Sequence, residues 1–269
     1  MSSAYHIVVC GGIVPDPLQT LEPLQGPAGW GLKNESMLPH ILDPWVMNAL
    51  YEAAALAKKD PGTKVWLVSL APKAKLQQVM MAMAQKAPFE LVALDGPSTG
   101  FSDAHEAGAM LADAINGIAG LDKSRLLLFG GWESASRGAG STMQILGEKL
   151  GIAEQFMGVD QLTVNADGSF EVLERIEGGK HQVSACSGAP AVFGWATGNL
   201  PEPPNNPQVG MANMKGIMPA LQKAKPSPLK GAGVVLSDVT LPKQRRETRI
   251  VKDVPLEEMA KEIAAWIKG

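Results

Sequence analysis

The sequence predicts an α/β protein: a mostly parallel sheet with helices, antiparallel strands added late, and an extended C-terminal arm ending in a helix. Three observations carry this prediction. Near-continuous apolar runs recur at His6–Cys10, Lys64–Leu70, Phe89–Leu94 and Arg125–Phe129, as strands buried on both faces require. Between them lie stretches with helical apolar spacing, bounded by cap and breaker residues. After Met157 this alternation gives way to consecutive strands, consistent with an antiparallel layer or sheet edge. Strands alternating with helices form βαβ units, and these build a parallel sheet.

Taken in order, Gly11, Gly12 and Pro15 break the first strand, and the Pro- and Gly-rich residues 17–42 read as a long irregular excursion. Asp43-Pro44 opens a helix with an acceptor at the N-cap and proline at the first helical position. Val46, Ala49, Leu50, Ala53, Leu56 and Ala57 share one face, and Asp60-Pro61-Gly62 stops the helix after about Lys59. The second strand, KVWLVSL, is followed by a Met-rich helix over Ala74–Gln85. The third leads to a helix capped by Asp103 and running to about Ala119. The fourth, RLLLF, ends at Gly130-Gly131, and a helix follows over about Ser141–Leu150.

Glu171–Ile176 and His181–Cys186 are β-rich runs joined by Glu177-Gly178-Gly179-Lys180, a hairpin signal. A third apolar run, Pro190–Trp195, comes next. Gly198–Pro207 (GNLPEPPNNP) holds four prolines, which exclude a helix interior or central strand. It reads equally well as a rigid recognition loop or as a plain surface connection. A short helix over Gly216–Lys225, a linker over Lys225–Lys230 and an amphipathic helix over Leu256–Ile267 complete the chain. The arm layout favours contact with a partner.

Composition narrows the function. At 269 residues the chain can bury a full core. A net charge of −3 gives no electrostatic footprint for nucleic acid or an acidic membrane. Two cysteines, Cys10 and Cys186, make neither a disulfide framework nor a zinc spacing. No apolar run is long enough to span a bilayer, and MSSAYHIVVC lacks a secretory pattern. The expectation is a cytoplasmic protein, or one in an equivalent compartment such as the mitochondrial matrix, without membrane insertion.

The strongest chemical candidate is the run Gly130–Thr142, which follows a buried strand and leads into a helix. Gly131, Gly138, Ala139 and Gly140 let backbone amides approach an anion, while Ser134, Ser136, Arg137, Ser141 and Thr142 add donors near a helix N-terminus. A nucleotide at the carboxyl end of a parallel strand is weighed here against a structural turn. Gly11-Gly12 is placed to line the same crevice. Cys10 reads as a small buried hydrophobe rather than a nucleophile. Trp45 reads either as a platform for a planar cofactor or as a core anchor. His6, His40, His105 and His181 are scattered without metal-ligand spacing, and no nucleophile–base motif stands out. The basic run Lys243–Arg249 reads as a solvated stretch. A nucleotide pocket without catalytic apparatus points away from a self-sufficient enzyme.

Six segments together resemble the β-subunit family of electron transfer flavoproteins, in that family's order and over nearly the whole chain. Ile7–Asp16 (IVVCGGIVPD) is similar to I-L-V-C-I-K-Q-V-P-D, and Asp43–Ala53 (DPWVMNALYEA) to N-P-F-D-E-F-A-L-E-E-A. Val68–Pro72 (VSLAP) is similar to V-S-V-G-P, and Glu174–Val192 to the R-E-x-E-G-G…P-A-V region. Asn206-Pro207 with Gly216-Ile217-Met218 and Lys223-Ala224-Lys225 resembles N-x-P-R-Y…I-M-K-A-K-K. The arm from Pro242-Lys243 and the final helix correspond too. The chain departs from the pattern at Gly12, where the family has Lys, at Gln208-Val209, where it has Arg-Tyr, and in a lengthened, proline-rich loop.

The resemblance implies a Rossmann-like domain, helices on both sheet faces, over residues 1–225, and an arm over 226–269 that embraces a homologous α subunit. It implies an electron carrier rather than an enzyme, with no catalytic residue of its own. The heterodimer would accept electrons from a flavin-dependent dehydrogenase and pass them to a quinone oxidoreductase. FAD would be held mainly by the α subunit, and a structural AMP by this chain. Cys10, Asp43, Pro44, Trp45, Val46 and Leu70 would line the AMP site, Gly131–Thr142 would hold its phosphate, and Trp45 would lie near the flavin ring. The docking loop would span about 195–215, with Leu200 entering the dehydrogenase. Two other readings stand beside this one: a regulatory nucleotide-binding module of the universal-stress-protein type, and an electron-bifurcating relative with a second FAD in place of AMP.

Overall fold

The computed structural model describes residues 4–27, 29–97, 102–136, 138–229, 240 and 248–269. The chain divides into two compact units, Met1–Ser237 and Asp238–Gly269. In the first, the elements run β1 (His6–Cys10), β2 (Ile13–Pro15), β3 (Pro23–Gly26), β4 (Gly29–Leu32), β5 (His40–Leu42), α1 (Pro44–Lys59), β6 (Lys64–Ala71), α2 (Lys73–Met83), β7 (Glu90–Asp95) and α3 (Ala104–Asn116). They continue with β8 (Leu126–Gly131), α4 (Thr142–Leu150), β9 (Gln155–Val164), β10 (Phe170–Ile176), β11 (Lys180–Cys186), β12 (Ala191–Trp195), α5 (Pro207–Gln222) and β13 (Lys225–Pro226). The second unit carries α6 (Leu256–Lys268), where Arg249 pairs with Glu262 at 2.6 Å.

Among the described residues the main sheet orders its strands β11-β10-β9-β12-β8-β1-β6-β7-β13. From β12 to β13 all neighbours are parallel, while β9, β10 and β11 pair antiparallel at one edge. The chain starts with β1 in the middle and adds β6 and β7 on one side. It then crosses back to add β8 and β12 on the other. This is a doubly wound α/β sheet, and the order reverses between β1 and β8.

Alternation along the buried strands sorts the helices onto two faces. Ile7, Val9, Leu67, Leu127 and Phe129 point to a core shared with Val46, Ala49 and Leu50 of α1, Leu76 and Met80 of α2, and Ile217 and Leu221 of α5. Val8, Cys10, Val68, Leu126 and Leu128 face the opposite core, with Leu111 and Ile115 of α3 and Met143 and Leu146 of α4. A period of two along the strands serves both layers at once.

The structure differs from the sequence expectation in four places. Pro190–Trp195 does not extend the antiparallel edge: β12 runs parallel between β8 and β9, because five consecutive buried residues suit a strand covered on both faces. The helix read as Gly216–Lys225 begins nine residues earlier. Asn206 caps it by accepting from the amides of Gln208 and Val209, and Pro207 takes the first turn, where its missing N–H costs nothing. Residues 17–42, read as irregular, contain the hairpin β3–β4 and also β5, which pairs with β2 just before them. Lys225-Pro226, read as linker, pairs with the edge strand β7. The Gly178-Gly179 turn has positive φ at both glycines, 73° and 70°, as a tight hairpin demands.

Although aromatic residues are only 5% of the chain, they concentrate at the β12 crossing. The Phe193 ring lies 5.5 Å from Phe129, 5.6 Å from Phe156 and 5.9 Å from Phe170 between centroids. Trp195 packs on Phe129 at 5.3 Å. Phe193→Ala is therefore expected to lower unfolding free energy in urea by about 3–5 kcal/mol, the cost of deleting a fully buried ring. A loss under about 1 kcal/mol would show that neighbouring rings collapse into the space.

Candidate functional site

A cavity opens at the carboxyl ends of β1, β6 and β8, where the strand order reverses. Open α/β sheets bind ligands at this position, because the loops diverge to either face and leave a crevice. It encloses about 110 Å³ and opens to solvent at its mouth. Its floor is Cys10, Gly11 and Gly12 after β1 and Leu70 in β6. One wall is Asp43 and Val46 at the start of α1. The other is the segment from Gly131 to Met143, which descends onto α4.

Glycine makes the crevice possible. A Cβ on Gly11 would lie 2.3 Å from Val46 Cγ1, and one on Gly131 would lie 2.6 Å from the Glu133 carbonyl oxygen and 2.8 Å from Trp45 Cβ. Both distances are far inside van der Waals contact, so only glycine lets α1 approach the ends of β1 and β8 this closely. At the far end of the wall Gly140 holds φ 64°, and Ser141 starts α4 without a side-chain capping bond.

Asp43 ties these walls together. Its Oδ1 accepts the Trp45 amide at 3.1 Å, capping α1. Its Oδ2 accepts the Ala135 amide at 2.9 Å, across 92 residues, and so fastens the β8–α4 segment to the α1 N-terminus. The residue is only 2% exposed. Burial pushes its carboxyl up to about 6; the amides of Ala135, Trp45 and Val46 oppose the shift, and Glu133 adds to it. The Cys10 thiol is also buried, which drives it well above the usual thiol range and leaves it inert.

Of the residues singled out from sequence, Cys10, Asp43, Val46, Leu70, Gly131, Ser134, Ser136, Ala139, Gly140, Ser141 and Thr142 line this one cavity. Pro44, Trp45 and Gly138 do not. Pro44 occupies the first turn of α1, Trp45 packs against Gly131, and Gly138 turns the segment with φ 61°. Arg137 lies outside the described residues. Sequence reasoning missed Pro97, Ser102 and Leu111, supplied by the β7–α3 connection and α3. The only available signal was their position after a parallel strand. It also passed over Glu133, although this residue lies inside the glycine-rich run. Leu200 is remote in sequence from these walls, 40% exposed, on the segment between β12 and α5.

Among the described residues no group of three or more His, Cys, Asp and Glu side chains is placed to hold a metal. No helix among them is long and apolar enough to cross a membrane.

Because the Asp43 carboxyl titrates near 6 in the folded chain against an ordinary value of 3.8, the folded state binds more protons between those pH values. Asp43 therefore lowers stability at neutral pH, and the cost is relieved as pH falls through 6, fully so below 3.8. Asp43→Asn removes this dependence, and its amide cannot accept the Ala135 N–H. Urea titrations of both proteins should show the wild type gaining on Asp43→Asn by on the order of 2 kcal/mol from pH 7 to pH 4. A difference that stays flat with pH would mean an ordinary, solvated carboxylate.

A search of curated proteins finds no match to the chain. A family profile described as the electron transfer flavoprotein domain matches residues 34–227, which takes in every element from β5 to β13 and most of the cavity wall. The match spans well over half of the 269 residues, and the chain belongs to the electron transfer flavoprotein family.

Proposed function

We propose that the chain is the β subunit of a heterodimeric electron transfer flavoprotein, and that its cavity holds AMP as a structural ligand. The complex accepts electrons from a flavin-dependent dehydrogenase and passes them to a quinone oxidoreductase, in the cytoplasm or the mitochondrial matrix. FAD is held mainly by the α subunit, which the arm over 226–269 embraces while residues 1–225 form the nucleotide-binding body. The observation that carries this reading is the cavity where the strand order reverses, walled by a glycine-rich segment that ends on a helix N-terminus. The family match over 34–227 favours it over a module of the universal-stress-protein type.

The cavity's residues suit a nucleoside monophosphate. The hydroxyls of Ser134, Ser136, Ser141 and Thr142 gather at the end where α4 begins, and this helix N-terminus adds partial positive charge for a phosphate. Val14, Val46, Leu70 and Leu111 offer an apolar bed for a base. The carboxylates of Asp43 and Glu133 accept from ribose hydroxyls. Flavin supplies the electron chemistry when bound. This chain's part is to position and to dock: Trp45 sits near the flavin ring, and Leu200 enters the partner dehydrogenase.

Two measurements test the reading. Coexpression with an α subunit should yield a stable yellow heterodimer; a colourless chain that never joins one would sink the proposal. Denaturing the complex and identifying what it releases by mass spectrometry should give FAD and AMP in about equal amounts, close to one of each. Two FAD and no AMP would replace the structural role with a bifurcating one, and FAD alone would remove the AMP assignment.

A further inference from the structure

The segment Ala196–Asn206 holds three prolines and no regular structure, yet it is fastened at both ends and along its length. At the β12 end, Ala196 donates its amide to Val159 O at 2.8 Å, and its carbonyl accepts from Asn48 Nδ2 at 3.2 Å. Next, Thr197 Oγ1 donates to Asp160 Oδ1 at 3.1 Å and accepts from Arg175 Nη2 at 2.7 Å. Asp160 is itself held by Arg175 and by His181 Nε2 at 2.8 Å. At the α5 end, Lys86 pairs with Glu202 and donates to Pro203 O at 3.4 Å, and the Asn206 amide donates to Gln85 O at 3.0 Å. Between these anchors stands the exposed Leu200.

Glu52 lies against both residues before Leu200. Asn199 N donates to Glu52 Oε1, on α1, at 3.1 Å, and Asn199 Nδ2 reaches Gln161 Oε1 at 3.3 Å. Gly198 holds φ 63°, and a Cβ there would lie 2.7 Å from the same Glu52 oxygen. The chain thus turns in a left-handed conformation at a residue whose lack of a side chain makes room for the carboxylate. Burial pushes the Glu52 carboxyl up, and the Asn199 and Leu200 amides and Lys59 draw it back. A bond from a backbone N–H to a desolvated carboxylate is among the stronger hydrogen bonds a loop can make.

We propose that Glu52 is a positioning residue that locks the 198–200 tip and so presents Leu200 in a preformed geometry. The proposal rests on the reading of this loop as the docking element. A loop already ordered loses little conformational freedom on binding, so more of the contact energy at Leu200 becomes affinity. The consequence is an effect on association with the dehydrogenase and none on the electron-transfer step within the bound complex.

The test uses the intact heterodimer as wild type, Glu52→Ala, Glu52→Gln, Gly198→Ala and Leu200→Ala. Hydrogen–deuterium exchange of peptides spanning 196–206 should accelerate roughly tenfold in Glu52→Ala. Gly198→Ala, which attacks the same contact from the loop side, should do likewise. Glu52→Gln keeps an oxygen acceptor and should stay near wild type. The electron donor is whichever of a panel of acyl-CoA and N-methylamine dehydrogenases reduces the wild-type complex fastest. With it, Glu52→Ala should raise KM for the heterodimer about tenfold at unchanged kcat. Leu200→Ala should raise KM without changing loop exchange. Unchanged exchange in Glu52→Ala overturns the proposal whatever Leu200 does. Faster exchange with unchanged KM, while Leu200→Ala raises KM, also overturns it and leaves the docking reading standing. If neither variant changes KM, the docking reading fails and this inference fails with it.

Discussion

The close approach of two helix N-termini to the ends of β1 and β8 is the constraint on which the rest depends. A side chain at Gly11 would collide with Val46, one at Gly131 with Trp45, and one at Gly130 with Met143 Sδ at 2.3 Å. At Gly11 and Gly131 the neighbours are a β-branched side chain, a Cβ and a backbone carbonyl, which packed surroundings hold in place. The glycines therefore set how near α1 and α4 sit to the sheet, and that spacing sets the width of the cavity between them. Asp43 can bridge from its own helix cap to Ala135 only because both walls stand so close.

This closeness has a thermodynamic cost. A carboxylate that is 2% exposed, near Glu133 and met by backbone amides, is held in the fold against its own solvation. An asparagine would cap α1 at less cost. The carboxylate's second oxygen accepts the Ala135 amide, however, and an amide side chain has only one acceptor oxygen. The group thus gives up stability to fix the cavity wall, a trade expected at a binding site rather than in a structural core.

Much of this was legible in the sequence. Continuous runs such as His6–Cys10 and KVWLVSL name buried parallel strands because burial on both faces erases alternation, and Asp43-Pro44 marks the start of α1 to the residue. The glycine-rich run that walls the cavity was singled out too, with a nucleotide site weighed against a structural turn. What failed did so for tertiary reasons. Nothing local distinguishes Pro190–Trp195 as an edge strand from the same residues inserted between β8 and β9, because strand order is set by long-range packing of Phe193 on rings up to 64 residues away. The start of α5 was hidden behind prolines that forbid a helix interior but welcome its first turn. Glu52 could not be seen at all, because its partner Asn199 lies 147 residues later in the chain.

Helix α1 joins the cavity wall to the loop. Asp43 at its N-cap holds the cavity wall, and Glu52, nine positions on, holds the tip of the 196–206 loop. At 1.5 Å per residue these contacts stand about 14 Å apart along one helix. Asn48 lies between them and grips the loop where it leaves β12. On the proposed reading, a nucleotide that binds only the folded cavity stabilises the body by linkage. Fraying or displacement of α1 would release the cavity wall and the loop together, so the same ligand also raises the occupancy of the docking geometry. On the same reading, a nucleotide with no redox chemistry would bear on electron transfer through the helix it steadies. The connecting element is a single packed helix, Val46, Ala49, Leu50 and Ala53 being buried along its length.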